Sequence, residues 1–309
     1  MNNYNKKLLE ILPALDLRTK IIISNSNWVD EKCTPVEEFA AITGEYYNAP
    51  LNVASLMDLK TNPDNPVNKW FSAKLEQPYM LKDVMDNLYS ITANIIKFKG
   101  EWAYKFKKEN TVIRNFTNYF GGKKSVPTMV NLFDKGFKHY YSDEVDVLSL
   151  EFGNGSYNMV VFLPENDLNN FISGFTAEKF RNLSVDYLAS MANVYLPKFN
   201  FSYDINLTEN LSDMGLKETV NGPWGGKFSK FYTLEKKSDF ESILHNTYVS
   251  FGIDEEGGEV KALGSTQTGN VISPGPSSVV DFKVDRPFFF MIVESQTSTV
   301  LAAGAVYDL

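Results

Sequence analysis

Residues Asn94–Trp102 read NIIKFKGEW and close an apolar run that begins at Leu88. The run is rich in residues that favour extended backbone, which predicts a strand over Leu88–Phe98 buried on both faces. A second strand is predicted upstream at Thr19–Val29, TKIIISNSNWV, from its β-branched content. Helices are predicted at Asn5–Leu12, ended near Pro13, at Pro35–Tyr47 and at Pro66–Leu75. The second of these carries Phe39, Ile42 and Tyr46 at helical spacing, and the third carries Val67, Trp70 and Phe71 on one face.

Downstream the chain reads mostly as strand. Ser125–Asn131, Asp146–Phe152 and Asn158–Leu163 are strand candidates, and ENDLNNFISGF after the last of them reads as a turn and a helix. Val194–Asp204 alternates as one strand and leads into a helix over Leu207–Met214, with Gly215 as its stop. Arg286–Val293 and Thr299–Tyr307 predict a closing hairpin of two buried strands. Between two predicted strands lies Gly257–Ser278, rich in Gly, Ser and Thr. A connection this long inside a compact domain points to function or to disorder.

With 309 residues, 43% hydrophobic and 14% aromatic, the chain can build one large core or two ordinary domains. The net charge of −8 lacks the basic footprint of a nucleic-acid binder. No run of 18 apolar residues suggests a membrane span. The opening MNNYNKKLLEILPALDL is interrupted by Glu10 and Pro13 and does not read as a signal peptide, so a cytoplasmic protein is expected. Cys33 is the single cysteine, which forbids an intrachain disulfide. Six glycosylation sequons, at Asn115, Asn154, Asn182, Asn200, Asn206 and Asn210, matter only in a secreted chain.

The inventory for catalysis is thin. Two histidines, His139 and His245, and one cysteine argue against a zinc site, and a Ser-His-Asp triad would need one of those histidines. Neither a G-x-S-x-G elbow nor a phosphate-cradling loop occurs. The acidic pairs Glu37/Glu38 and Glu255/Glu256 read as solvated surface. This favours a protein that acts through its conformation, with no metal and no cofactor.

Several segments in order resemble one family. NIIKFKGEW resembles the serpin strand motif in which Asn leads into F-K-G-x-W. KSVPTMVN (Lys124–Asn131), YNMVVFLPEN (Tyr157–Asn166), the L-P-K-F strand with its helix from Leu196, IDEEGGE (Ile253–Glu259) and VDRPFFFMI with LAAGAV resemble further serpin elements, as do TKIIISNSNWVD and VNKWFSAKL upstream. The resemblance implies an α+β serpin fold with three β-sheets, surrounding helices and an exposed reactive-centre loop, in a single domain over residues 1–309. It begins at a point where the family has earlier helices, so an N-terminally shortened serpin is expected, and a viral origin is suggested.

The same resemblance implies a mechanism. A protease cuts the loop, and the hinge side enters the main sheet as a new strand while the protease is still attached. It puts the hinge at Glu255, Glu256, Gly257, Gly258, Glu259, Val260 and Ala262, and the reactive bond among Asn270, Val271, Ile272 and Ser273. Because strand side chains alternate, Gly258, Val260, Ala262 and Gly264 would face inward. Inhibitory members favour Thr or Ser at the position of Gly258, so slower insertion is expected here. Val271 suits an elastase-like target and Asn270 a cysteine protease that cuts after Asn. Trp102 matches the family's tryptophan near the top of the main sheet, and Asn94 and His245 match the hydrogen-bonding pair of its opening region. A monomeric protease inhibitor is expected, with a non-inhibitory partner-binding or decoy protein, or an inactive remnant, as alternatives.

Overall fold

Helices form where local signals start and stop them. In the computed structural model, Asn65 caps the helix over Pro66–Leu75: its side chain accepts the Val67 N–H, proline sits in the first turn, and Glu76 ends the helix in the left-handed region. The structure describes residues 1–82, 84, 88–185, 188–206, 208–215, 230–234, 246–258 and 279–309. Its helices are α1 (Asn2–Ile11), α2 (Glu37–Tyr47), α3 (Pro66–Leu75), α4 (Leu168–Ser173), α5 (Ala177–Val185) and α6 (Thr208–Asp213). Gly215, at φ +107°, follows α6 as the expected stop.

The strands are β1 (Thr19–Val29), β2 (Cys33–Pro35), β3 (Leu51–Val53), β4 (Ser90–Glu101), β5 (Val112–Thr117), β6 (Lys123–Tyr141), β7 (Val145–Phe152) and β8 (Tyr157–Pro164), then β9 (Leu188–Pro197), β10 (Phe199–Asn206), β11 (Tyr232–Leu234), β12 (Asn246–Ile253), β13 (Gly257–Gly258), β14 (Val280–Lys283), β15 (Phe288–Glu294) and β16 (Val300–Val306). Among the described residues, hydrogen bonding groups them into three sheets of six, two and eight strands. The mixed helix and sheet content is that of the expected α+β class.

Two compact units emerge. The first comprises Met1–Ala14, Ile21–Lys97 and Ser202–Ser250. Here β3 lies parallel to β1, with Asn27 opposite Leu51. The apolar face of α3 lays Val67, Trp70 and Phe71 on Trp28, Leu56 and Leu59, as the helical spacing predicts. Phe39 of α2 stacks on Phe231 at 4.4 Å, while Tyr46 lies under the Lys6 ammonium and Ile42 stays exposed.

The second unit comprises Leu15–Lys20, Phe98–Phe201 and Phe251–Leu309. Its sheet runs β14-β9-β6-β7-β8-β15-β16, with β5 beside β6. Helices α4 and α5 cover it: Phe171, Phe180 and Leu183 meet Val145, Val147, Val160, Phe162, Met291 and Val293 in one core. Burying a side chain such as Phe162 contributes about 1.5–3 kcal/mol. Strand β6 is far longer than the predicted Ser125–Asn131; a register shift between Leu132 and Gly136 interrupts its pairing with β9.

Three expectations are corrected. Strand β4 is not buried on both faces: Ala93 and Ile95 are buried while Thr92, Asn94 and Ile96 are exposed, the alternation of a one-sided strand. Apolar content had reported strand propensity, not two-sided cover. Val194–Asp204 is two strands, because the chain leaves β9 at Pro197 and starts β10 at Phe199, with the Lys198 N–H bonded to Pro127 O. In the closing hairpin β15 is buried but β16 is not, since β16 is the sheet's edge and only Val306 of it is buried.

That edge carries a tight fit. Gly304 lies opposite Phe290, and a methyl group there would stand 2.7 Å from the Phe290 ring. Gly304→Ala is expected to destabilise by about 1–3 kcal/mol through overpacking, read as a lower urea midpoint.

Candidate functional site

The segment IDEEGGE carries its own turn signal: an Asp followed by glycines three and four residues on. Asp254 leaves β12, and its Oδ1 accepts the N–H groups of Glu256 at 2.8 Å and Gly257 at 3.3 Å. Its own N–H donates to Gly257 O at 3.0 Å. The chain reverses here. Gly257–Gly258 then runs antiparallel between two strands, with Gly258 opposite Ile253 of β12 on one side. On the other side Gly257 lies opposite Glu101, and Gly258 opposite Gly100, of β4.

Glycine is required at the first position and permitted at the second. Gly257 has φ +154°, and a Cβ there would stand 2.0 Å from Gly100 O. A Cβ on Gly258 would meet Phe152 at 3.7 Å, an ordinary contact.

Trp102 fastens the turn. It is 2% exposed, and its ring stacks on Phe152 at 4.4 Å and 12°. Its indole N–H donates to Asp254 O at 2.8 Å, and its backbone N–H to Glu256 O at 2.9 Å. Phe106 N–H donates to Glu255 O at 3.2 Å.

The two carboxylates go to different partners. Glu255 is 4% exposed, so it is not the solvated surface acid expected from the sequence; local acidity does not reveal the cation and hydroxyl that the fold brings to it. Lys198 Nζ donates to it at 2.8 Å and Thr111 Oγ1 at 2.7 Å. Burial pushes its pKa up, but these hydrogen bonds outweigh that and hold it below the ordinary 4.5. Glu256 is exposed and is held low chiefly by the hydrogen bond from Lys105. Lys105 Nζ lies 2.8 Å from Glu256 and 3.2 Å from Glu101, and Lys108 Nζ lies 3.5 Å from Glu256.

Glu255, Glu256, Gly257, Gly258 and Trp102 are thus brought together. Asn94 stands apart, exposed on β4, with its Nδ2 donating to Asn25 Oδ1 at 2.6 Å. His245, Glu259, Val260, Ala262 and the bond candidates Asn270, Val271, Ile272 and Ser273 lie outside the described residues. Lys105, Lys108, Thr111, Lys198 and Phe152 are site residues that sequence reading did not assign; they lie far from the turn in sequence, and only Lys198, in the L-P-K-F segment, stands in a motif, which does not reveal its pairing with Glu255. Asp254 did carry one. His139 is buried and bonded to Asp146 Oδ1 at 2.6 Å. Among the described residues no three His, Cys, Asp or Glu side chains converge to hold a metal ion.

Two outcomes follow from this geometry. Gly257→Ala is expected to destabilise the native protein, whereas Gly258→Ala is expected to stabilise it by about 0.4–1 kcal/mol by restricting the unfolded chain; urea titration separates them. Because the folded pKa of Glu255 is depressed, its contribution is complete above 4.5 and is lost as pH falls through the lower folded value. The stability difference between wild type and Glu255→Gln is therefore expected to be full at neutral pH and to vanish on acidification, read by denaturation across that range.

The family profile described as Serpin (serine protease inhibitor) matches residues 1–309. Serpin-Z10 of Arabidopsis thaliana is 28% identical over 309 residues, spanning 95% of this chain and 77% of its own. An uncharacterized serpin-like protein of Methanosarcina acetivorans is 27% identical over 300 residues, spanning 95% of this chain and 67% of its own. The thermophilic serpin Tengpin in its native state superposes with a TM-score of 0.83 at 23% identity, over 100% of this chain and 78% of its own. Human thyroxine-binding globulin complexed with thyroxine superposes with a TM-score of 0.83 at 17% identity, over 99% of this chain and 80% of its own. Taken with the ordered motifs and the three sheets, the profile match over the whole length establishes that this chain belongs to the serpin family.

Proposed function

We propose that the protein inhibits a protease by offering residues 259–278 as a cleavable loop and adding the hinge side of that loop to the sheet between β12 and β4. The observation that carries this reading is the position of Gly257–Gly258, which already occupies the two first rungs between those strands. Strand addition satisfies backbone donors and acceptors along both neighbours and needs no catalytic side chain.

The register supports the next steps. Continued one residue at a time from Gly258 opposite Gly100, an inserted strand would set Glu259 opposite Lys99 and Val260 opposite Phe98. Opposite charges and an aromatic/β-branched pair are both favourable across strands. Val260 would share the face of Gly258, which lies over Phe152. Glycine at 258 leaves unfilled contact on that ring, which favours slower insertion and keeps a decoy or partner-binding serpin as the second reading.

The target proposed from the loop sequence is an elastase-like serine protease cutting near Val271, or a cysteine protease cutting after Asn270. Incubation with one enzyme of each type, followed by denaturing electrophoresis, is expected to show a covalent complex and, for cleaved protein, a higher melting temperature. Cleavage with a higher melting temperature and no complex would select the decoy reading. Cleavage with neither would sink loop insertion.

A further inference from the structure

Adding a strand from the end of β12 requires the chain to double back on itself. That reversal fixes several backbone dihedrals before any new rung rewards it, the same imbalance that makes nucleation the costly step of other regular structures. In this protein the reversal is already made at Asp254–Gly257, and the first rungs are in register.

Two sets of side chains hold it. Asp254 Oδ1 takes the N–H groups of Glu256 and Gly257, at 2.8 and 3.3 Å, and so closes the turn on itself. Lys105 does something different. Its Nζ bridges Glu256, in the turn, and Glu101, the β4 residue opposite Gly257, at 2.8 and 3.2 Å. One ammonium thus joins the turn to the strand residue against which the first glycine is registered. Lys108 adds a second cation to Glu256 at 3.5 Å. A slip of one residue would break the bridge, because it would carry Glu256 along the strand away from Lys105.

We propose that Asp254 and the Glu256–Lys105–Lys108 cluster are positioning residues that hold the hinge reversed and in register before the loop is cut, so that strand addition starts from a formed turn. This rests on the insertion reading above and adds to it the residues that set the starting register. Lys105, Lys108 and Glu256 are 48, 71 and 53% exposed, so their share of the hold is open to screening by salt. The Asp254 share is a pair of short-range hydrogen bonds from backbone N–H groups within the turn, a geometry that an asparagine oxygen can reproduce.

The test uses two measurements on the full chain. Amide hydrogen exchange on uncut protein reads whether the hinge is held; the amides of Trp102, Gly257 and Gly258 are expected to be protected in wild type and exposed several-fold more in Asp254→Ala and Lys105→Ala. The second measurement cuts the loop with a broad-specificity protease and follows the rise in melting temperature with time. Asp254→Ala and Lys105→Ala are expected to gain stability several-fold more slowly than wild type, Asp254→Asn and Lys105→Arg at close to the wild-type rate. High salt is expected to bring wild type toward Lys105→Ala and to leave the Asp254→Ala defect in place.

A turn with a merely structural role would lower native stability without slowing the gain after cleavage, and that result overturns the proposal. Unprotected hinge amides in wild type overturn it too, even if cleavage stabilises the protein, and the insertion reading then survives alone. Protected amides with no gain in stability after cleavage overturn both.

Discussion

The stack of Trp102 on Phe152 sets the spacing on which the hinge depends. Phe152 is fully buried at the end of β7, and two backbone positions are crowded by its ring or by the strand above it. A Cβ on Gly100 would stand 2.7 Å from Phe152, so β4 can lie this close to the ring only as glycine. That closeness brings Gly100 O to where Gly257 must also be glycine. Gly258 sits over the same ring with room to spare. The F-K-G-x-W and E-E-G-G motifs, more than 150 residues apart, are therefore two sides of one steric condition: an aromatic ring beneath a strand pair that admits a third backbone between them.

The same ring ties the hinge to the eight-stranded sheet. Phe152 ends β7 opposite Tyr157 of β8 and forms an isolated bridge with Trp102. Phe98 of β4 meets both Phe152 and Tyr157 edge-on, at 5.0 and 5.9 Å. Nearby, Phe251 of β12 stacks on Phe290 of β15 at 4.8 Å, and Phe199 meets Phe288 at 5.7 Å. Aromatic pairs fix orientation as well as bury area. The strands flanking the turn are thus packed against rings of the eight-stranded sheet, β4 on Phe152 of β7 and Tyr157 of β8 and β12 on Phe290 of β15.

Most of the fold was legible because it is written in local periodicity. The bounds of β1 and α3 follow directly from β-branched content and from proline with helical spacing, and the ordered motifs carried the family. Burial was the part that local pattern misjudged. In β4 an apolar run concealed an alternation, with Ile96 half exposed and Ile95 buried. In β16 the small residues of LAAGAV read as core but occupy an edge. At the site, the hinge glycines and Trp102 were visible in sequence because each belongs to a motif. Thr111 and Lys105 were not, and Lys198, though it sits in the L-P-K-F motif, was not legible as a partner of Glu255, since what makes these three partners of the turn is the meeting of β9, β5 and the end of β4.

The two adjacent acids show why that meeting matters. Side by side in sequence, Glu255 and Glu256 repel each other and read as solvent-facing. In the turn they diverge. Glu255 is drawn inward to Lys198, just past β9, and to Thr111, just before β5. Glu256 points out to Lys105 and Lys108, just past β4. One turn is thereby tied to two sets of strands by neighbours that would otherwise destabilise it. The inner tie, with Glu255 buried and Lys198 part-exposed, is screened less by salt than the outer one, which is weak and adjustable. On the insertion reading proposed above, this division would serve a hinge that starts in register and then extends: the inner pair would fix where the turn sits, and the outer cluster which rung comes first.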